Sequence, residues 1–378
     1  MNENPFSDLP AALVQEIINK SQELGAQVVA GFEELRLNRQ KFREQLSNAK
    51  VIKRENNLPH IPIPTSCGVD GAYGVERLLA FDLVATVAVA MEGLTPPSEP
   101  RHWVDPRYYS HVSIEPHSSD TENILRGLMM GMEYGLAIQA PHDVIFLDGS
   151  LTTAFIYLNQ ALSKIDAMNG NYTSTAKILL EEIENILNNY LSVLKSERSD
   201  KGYVAIPKYT TKKEFGKKFN WSDSYDDRAM LTDLLDAGEY TEPQLLDLSE
   251  QNEWHININR IPQLEPITRE IKQLLNQIHV IYYKPTTSSP ALRLEVSRAI
   301  AKTPARLSAV INAVKHQCSS PAMLEPYPLY MADRMAKSLG KSISTFRQII
   351  TQKVSEDYKG DISEIFINLN GYRTESGG

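Results

Sequence analysis

The sequence contains few cysteines and no long apolar run. Cys67 and Cys318 are the two cysteines among 378 residues, so a disulfide framework and a cysteine-rich zinc site are both excluded. No apolar stretch reaches the ~18 residues that a membrane-spanning helix requires. The first residues, Met1 to Pro5, lack the basic region with which a signal peptide begins. We therefore expect a cytoplasmic protein without a membrane segment.

A strong positive charge is also missing. The formal net charge is −8, which argues against a chain covered with cations for nucleic acid. The charge is unevenly distributed, however, because residues 284–352 hold ten Lys and Arg against three Asp and Glu. This segment is a candidate contact for a polyanion.

Two short apolar segments each run into an Asp-Gly pair. Val144-Ile145-Phe146-Leu147 leads directly into Asp148-Gly149-Ser150, and an apolar run bounded by a turn predicts a buried strand. Asp148 would then end at the edge of a buried sheet, where an ionised group needs a partner. Asp70-Gly71 repeats the pattern upstream. Two such strands side by side would bring both carboxylates to one place, which points to a divalent metal ion.

The rest of the chain predicts a mixed α/β protein. Apolar residues over 10–48 recur at intervals of three and four, which predicts one long amphipathic helix or two. The apolar face would pack in its own domain, form a dimer or dock on a partner. Prolines at 59, 62 and 64 mark a linker. We expect a helical segment 1–58, a domain 65–350 with helical insertions at about 151–270, and a tail 351–378. The periodicity predicts strands at 69–73, 77–91, 108–114, 144–148, 203–207, 280–284 and 292–296, and helices at 121–140, 151–168, 175–194, 266–278, 304–316 and 328–339.

Three strands, a helix and a fourth strand form the order of a ribonuclease-H-like fold, a mixed sheet flanked by helices. In that fold, metal-binding carboxylates come from the centre strand, the next helix, the fourth strand and a late helix. Asp148 lies about 15 Å up its strand from the turn at Pro141. Glu133 lies about 10 Å back along the preceding helix, and Glu122 about 27 Å back. Measured from the shared turn, Glu133 lies closer to the level of Asp148 than Glu122 does. We therefore expect Glu133 to be the helix residue that binds metal, with Glu122 as the alternative.

These motifs resemble those of the NurA nucleases over residues 65–340. The resemblance rests on segments that occur in the family's order: Asp70-Gly71-Ala72, Glu133, Leu147-Asp148-Gly149-Ser150-Leu151, Leu292-Arg293-Leu294-Glu295-Val296, and the segment from Glu325 to Asp333. Two positions depart from the family pattern. Asp333 stands where the family often has His, and Glu325 stands where it often has Tyr, so that the tyrosine's role is lost or passes to Tyr327.

The resemblance implies a DNA nuclease that uses Mn²⁺, or alternatively Mg²⁺. Such an enzyme cuts single-stranded DNA and DNA ends, and it acts as a homodimer with a HerA-type hexameric DNA translocase in DNA repair or phage defence. Asp70, Glu133, Asp148 and Asp333 would bind two metal ions, since carboxylate oxygens are the ligands that these hard cations prefer. Without metal, repulsion among the carboxylates should raise a pKa.

Several cations are candidate DNA contacts. Lys208 follows the predicted strand 203–207, where it could contact the scissile phosphate. Lys212 and Lys213 begin a segment in which cations alternate with aromatic residues. Such a segment can bind single-stranded DNA through charge and base stacking. The same composition is equally compatible with a solvated loop that binds nothing. Arg293 and Arg298 could line a DNA channel, or Arg293 could pair with Glu295.

Two other functions compete with the nuclease. An actin-like ATPase also has Asp-Gly turns after strands, but it needs a further glycine-rich turn for adenosine, which this sequence lacks. A catalytically silent adaptor would bind the translocase and DNA without cleaving. The nuclease is favoured because Asp70, Glu133 and Asp148 are all present.

Overall fold

In the computed structural model of the protein, the described residues are 9–208, 212–221, 226–248, 253–320 and 323–360, with 363, 367 and 369. The chain divides into two compact units, Met1–Ile52 and Lys53–Gly378. The first unit consists mainly of one continuous helix, α1 (Ala11–Asn48), as the spacing over residues 10–48 predicts. Apolar side chains of this helix are exposed, among them Leu13, Leu24 and Val28.

The second unit contains a mixed sheet flanked by helices. Its strands are β1 (Ile52–Arg54, which begins at the last residue of the first unit), β2 (Ser66–Arg77), β3 (Asp82–Glu92), β4 (Arg107–Glu115), β5 (Val144–Asp148), β6 (Gly202–Ile206), β7 (Glu239–Thr241), β8 (Gln244–Leu245), β9 (His279–Lys284) and β10 (Leu292–Val296). Its helices are α2 (Thr121–Gln139), α3 (Thr153–Ala167), α4 (Ser174–Lys195), α5 (Glu214–Phe219), α6 (Asp227–Leu234), α7 (Glu265–Leu275), α8 (Arg298–Ala301), α9 (Pro304–Gln317) and α10 (Tyr327–Asp357).

The sheet has the strand order β1-β7-β9-β10-β6-β5-β2-β3-β4, and β8 pairs with β9. Strands β2, β3 and β4 form an antiparallel meander. Helix α2 then leads to β5, which pairs in parallel with β2 and with β6. This order confirms the predicted ribonuclease-H-like fold.

Two helices cover the opposite faces of β2. A Cβ atom at Gly68 would lie 2.4 Å from the backbone nitrogen of Leu329 in α10, and one at Gly71 would lie 2.5 Å from Glu133 Oε1 in α2. Because successive residues of a strand point to opposite faces, Gly68 and Asp70 face α10. Gly71 faces α2.

Some element boundaries differ from the predicted ones. The strand predicted from Arg77 begins at Asp82, because Leu78 N–H donates to the Phe81 carbonyl at 2.9 Å and closes a tight turn. Helix α10 continues past the predicted end at Leu339 to Asp357, since Ile343 packs into a buried apolar cluster with Leu83.

The region 208–240, which shows no clear period, holds α5, α6 and β7. These elements are too short to produce a recognisable spacing. In the part of the chain that is described, no helix combines the length and apolarity needed to cross a membrane.

Candidate metal centre

The turn after β5 is fixed by a glutamate from a distant strand. Gly149 has a φ of +74°, a left-handed conformation that favours glycine. Ser150 Oγ donates to Glu295 Oε2 at 2.6 Å, and Leu151 N–H donates to the same oxygen at 3.0 Å. Glu295 of β10 therefore holds the turn that presents Asp148.

Glu295 is in turn held by Arg293. Arg293 Nε donates to Glu295 Oε1 at 3.0 Å, and its terminal nitrogens donate to Glu214 at 2.7 and 2.8 Å and to the Tyr282 hydroxyl at 2.8 Å. The side chain of Arg293 has no exposed surface. A fully buried guanidinium cannot contact DNA, which corrects the prediction that Arg293 lines a DNA channel. Its ion pair with Glu295, the alternative interpretation, is present.

Three aspartates from distant parts of the chain meet beside this turn. Asp70, Asp148 and Asp333 each contribute a carboxylate oxygen, and these oxygens all lie within 4.8 Å of one another. The parallel pairing of Val69 with Leu147 makes Asp70 and Asp148 neighbours on adjacent strands. Asp333 lies near the start of α10, the helix that Asp70 faces. We call these three residues the aspartate cluster.

Lys208, which follows β6, lies among these carboxylates. Its Nζ atom is 3.5 Å from Asp148 Oδ2, 3.3 Å from Glu325 Oε2 and 3.2 Å from Asp333 Oδ1. Burial alone would lower the pKa of Lys208, but the three carboxylates raise it above its ordinary value. The side chain therefore remains an ammonium ion and offsets part of the negative charge.

Two acidic groups are protonated more readily than usual. Burial, with the charge of Asp148, raises the pKa of Asp70 to about 8, against the opposing effect of Lys208. Burial, with the charges of Asp70 and Asp148, raises the pKa of Glu133 well above its ordinary value. A cluster without a bound cation is expected to behave in this way, because charged carboxylates are poorly solvated there and repel one another.

Glu133 approaches the aspartate cluster from the α2 side of the sheet. Its carboxylate occupies the space that a side chain at position 71 would fill, since a Cβ at Gly71 would lie 2.5 Å from Glu133 Oε1. Glu133 is 3% exposed and is not one of the three residues within 4.8 Å. Glu122, the alternative, is half-exposed and pairs with Arg126 at 3.5 Å. Glu133 is thus the helix carboxylate beside the cluster.

Glu325 is an acidic neighbour of Lys208 that was not among the predicted site residues. Burial raises its pKa, and Lys208 acts in the opposite direction. Its position in the same motif, eight residues before Asp333, could have indicated a role at the site. The comparison with the family pattern instead suggested that a tyrosine's role had been lost at this position.

The carboxyl group of Asp333 is more acidic than usual. Burial would raise its pKa, but hydrogen bonds from Lys337 and Lys208 lower the pKa below the ordinary value.

The residues of the cluster fit a divalent cation. Asp148 Oδ1 is buried and accepts no hydrogen bond from the described residues, although a buried carboxylate oxygen normally has a partner. Three carboxylates within 4.8 Å supply the oxygen donors that Mn²⁺ and Mg²⁺ prefer. A bound cation would complete the coordination that this oxygen lacks.

The other predicted DNA contacts lie at the starts of two different helices. Lys212 and Lys213 precede α5 and are half-buried, and Tyr327 begins α10. In the segment 212–221, Phe215 and Trp221 are buried, so these two rings offer no stacking surface for bases.

The basic segment 284–352 uses several of its cations within the chain. Arg306 donates to the carbonyls of Ser196 and Lys201, and Lys315 pairs with Glu55. These cations are committed to internal contacts, so the segment presents less positive charge to a polyanion than its composition implies.

The family model of the NurA domain matches residues 64–338. The chain belongs to the NurA family. A comparison with functionally curated proteins gives no match.

Solved NurA structures share the fold. The crystal structure of the NurA nuclease from Sulfolobus solfataricus is 13% identical, with 91% of this chain and 98% of that chain covered at a TM-score of 0.59. A crystal structure of NurA with manganese is 15% identical, with 90% and 99% covered at a TM-score of 0.52. The resemblance inferred from the sequence motifs is confirmed.

Proposed function

We propose that this NurA protein is a Mn²⁺-dependent DNA nuclease that hydrolyses phosphodiester bonds in single-stranded DNA and at DNA ends. The observation that carries the proposal is the meeting of Asp70, Asp148 and Asp333 within 4.8 Å. Membership of a nuclease family and the manganese present in a related NurA structure support the same activity.

Each acidic residue has a distinct role in this proposal. Asp70, Asp148 and Asp333 would hold the cations, and Glu133 would complete one of two cation sites. Bound ions of this kind supply a nucleophilic water and neutralise the leaving oxygen. A cation would bind in competition with protons on Asp70 and Glu133, because the pKa values of both carboxyls are raised.

The cations near the cluster would hold the DNA. Lys208 presents its ammonium group beside the aspartates, where it can donate to an oxygen of the scissile phosphate. Lys212, Lys213 and Tyr327 would contact the backbone farther along the strand.

The proposed setting is a cytoplasmic homodimer that works with a HerA-type hexameric ATPase in DNA end resection or phage defence. The exposed apolar residues of α1 provide a surface for docking such a partner. Co-purification with a hexameric ATPase encoded beside this chain tests the partnership. The proposed partnership would be refuted if this protein does not co-purify with the tagged ATPase under conditions in which both proteins are folded.

A nuclease assay on labelled single-stranded and linear duplex DNA, with Mn²⁺, Mg²⁺ or EDTA, tests the activity. We expect cleavage with Mn²⁺ and none with EDTA. Replacing a residue that only hydrogen-bonds to a metal ligand typically lowers activity ~10–100-fold. Asp148→Asn and Glu133→Gln should each lower the rate of DNA cleavage by more than this. Glu122→Gln changes the same residue type on the same helix and should retain activity.

The competing functions give different results in the same assay. An adaptor would cleave nothing with either metal while still binding DNA. An actin-like ATPase would hydrolyse ATP without cleaving DNA. Either result, or equal activity of Asp148→Asn and the wild type, would overturn the proposal.

A further inference from the structure

Strand β4 leaves one edge of the sheet open. It is the last strand in the order of the sheet, and within the described parts of the chain it pairs only with β3. Its outward apolar side chains are unusually accessible, with Tyr108 67%, Val112 50% and Ile114 52% exposed. Proteins normally protect such an edge, since its free backbone groups and apolar residues can pair with another strand.

The register identifies which backbone groups are free. The turn at Leu78 and Phe81 is hydrogen-bonded, and the β2–β3 and β3–β4 registers continue from it without a bulge. Because hydrogen-bonded and non-hydrogen-bonded pairs alternate in an antiparallel ladder, the odd-numbered residues of β4 bond to β3. The even-numbered residues, from Tyr108 to Ile114, point their N–H and C=O groups toward the open edge.

The same strand is complementary to itself. If two copies of β4 pair in antiparallel fashion with His111 opposite His111, the free groups of residue 110 face those of residue 112. Tyr108 then lies opposite Ile114, an aromatic–aliphatic cross-strand pair of the kind that stabilises sheets. Arg107 lies opposite Glu115, so that residues of opposite charge face each other across the two strands.

We infer that β4 is the interface of the homodimer, in which two copies join their sheets edge to edge about a two-fold axis at His111. This inference rests on the homodimer in the proposed function and identifies the surface that forms it. Pairing β4 with itself uses all its free backbone groups, and it covers Tyr108, Val112 and Ile114 on both copies. A partner of different sequence would have to reproduce that match.

The arrangement has a consequence for the aspartate cluster. Asp70 pairs with Val89, and Val89 pairs with Tyr108, so Asp70 and Tyr108 point to the same face. A two-fold axis perpendicular to the joined sheet keeps both clusters on one side. The dimer would therefore present two metal centres to the same DNA end.

Two lysines at the edge test the interface. In sedimentation velocity we expect the full-length chain to have twice its 42.5-kDa mass, and Val112→Lys/Ile114→Lys to return to the monomer mass, because charged side chains block edge pairing. Leu245→Lys alters a residue of similar exposure, 59%, on β8 and should remain dimeric. Circular dichroism checks that each variant is folded.

A cysteine at the two-fold axis provides an independent test. His111 would face its counterpart in a non-hydrogen-bonded pair, with Cα atoms about 4.5 Å apart, which is within disulfide range. His111→Cys should form a disulfide-linked dimer on mild oxidation, whereas Leu245→Cys should not. Both native cysteines are buried and should not interfere.

Three results would overturn this interface. They are a monomeric wild-type chain, a dimer that survives both lysines, and a dimer that His111→Cys fails to link. None of them affects the nuclease proposal, which is tested separately by the metal-dependent cleavage of DNA.

Discussion

Replacing Asp70 by Asn should stabilise the metal-free protein, and the gain should grow with pH. Burial raises the pKa of this carboxyl from 3.8 to about 8. Between these two pH values the folded state binds a proton that the unfolded state releases. The free energy of unfolding therefore falls as pH rises, by up to about 1.4 kcal/mol per pH unit for one proton. Asn cannot ionise and removes this loss.

Urea denaturation in EDTA at pH values from about 5 to 7.5 measures the effect. The free energy of unfolding of Asp70→Asn minus that of the wild type should rise steadily over this range. Because Glu133 shares the interaction with Asp70, we expect a slope below the full value for one proton. Asp200→Asn changes an exposed aspartate paired with Arg198 and should show no comparable rise with pH.

Saturating Mn²⁺ should reduce the stability advantage of Asp70→Asn over the wild type. A ligand at 100 times its dissociation constant adds about 2.7 kcal/mol to the free energy of unfolding, and Asp70→Asn should gain less than the wild type. A stability difference in EDTA that stays flat, or that favours the wild type as pH rises, would refute the assignment of Asp70 as a buried acid destabilised by its neighbours.

Three further substitutions test the surroundings of the cluster. Gly71→Ala should displace Glu133, because the added Cβ would lie 2.5 Å from Glu133 Oε1; we expect about 1–3 kcal/mol lower stability and reduced cleavage of DNA. Glu295→Gln should lower the free energy of unfolding by about 1–3 kcal/mol in urea, since it disrupts the buried hydrogen bonds to Arg293 and to the turn after β5, while Arg293 keeps its ion pair with Glu214. Lys208→Met should bind Mn²⁺ more tightly in calorimetry, because no ammonium competes for the aspartates, but should cleave DNA more slowly.

Matched controls separate these effects from general damage. Gly25→Ala adds a methyl group where nothing lies within 4 Å, and should not reduce stability or cleavage. Glu265→Gln removes an exposed charge paired with Arg269 and should change stability little. Lys164→Met removes a half-exposed lysine paired with Asp120 and should leave Mn²⁺ binding unchanged. Equal effects in a test variant and its control would contradict the corresponding reasoning.

The acidic core of the candidate site could be predicted because it follows from local rules. Asp70 and Asp148 each belong to an Asp-Gly turn signal beside an apolar segment, and parallel strands place such residues side by side. Glu133 follows from the rise per residue of a helix and a strand that share one turn. These inferences need no knowledge of distant contacts.

The remaining features depend on contacts between distant segments. Lys208 lies in a region without a period, so its approach to Asp333 could not be read from spacing. The burial of Arg293 depends on Glu214, seventy-nine residues earlier in the chain, and a strand pattern does not encode that pairing. Glu325 was recognised as a departure from tyrosine, but its location beside Lys208 depends on how α10 packs against β2.

The spread of the aspartate cluster along the chain has a consequence for protein synthesis. Its first member is residue 70 and its last is residue 333, and Glu295, near the end of that span, helps to hold the turn carrying Asp148. A nascent chain on the ribosome, or a fragment ending before α10, therefore lacks an intact centre. Under the proposed function, the cell is not exposed to the DNA-cleaving activity until synthesis has passed Asp333 in α10.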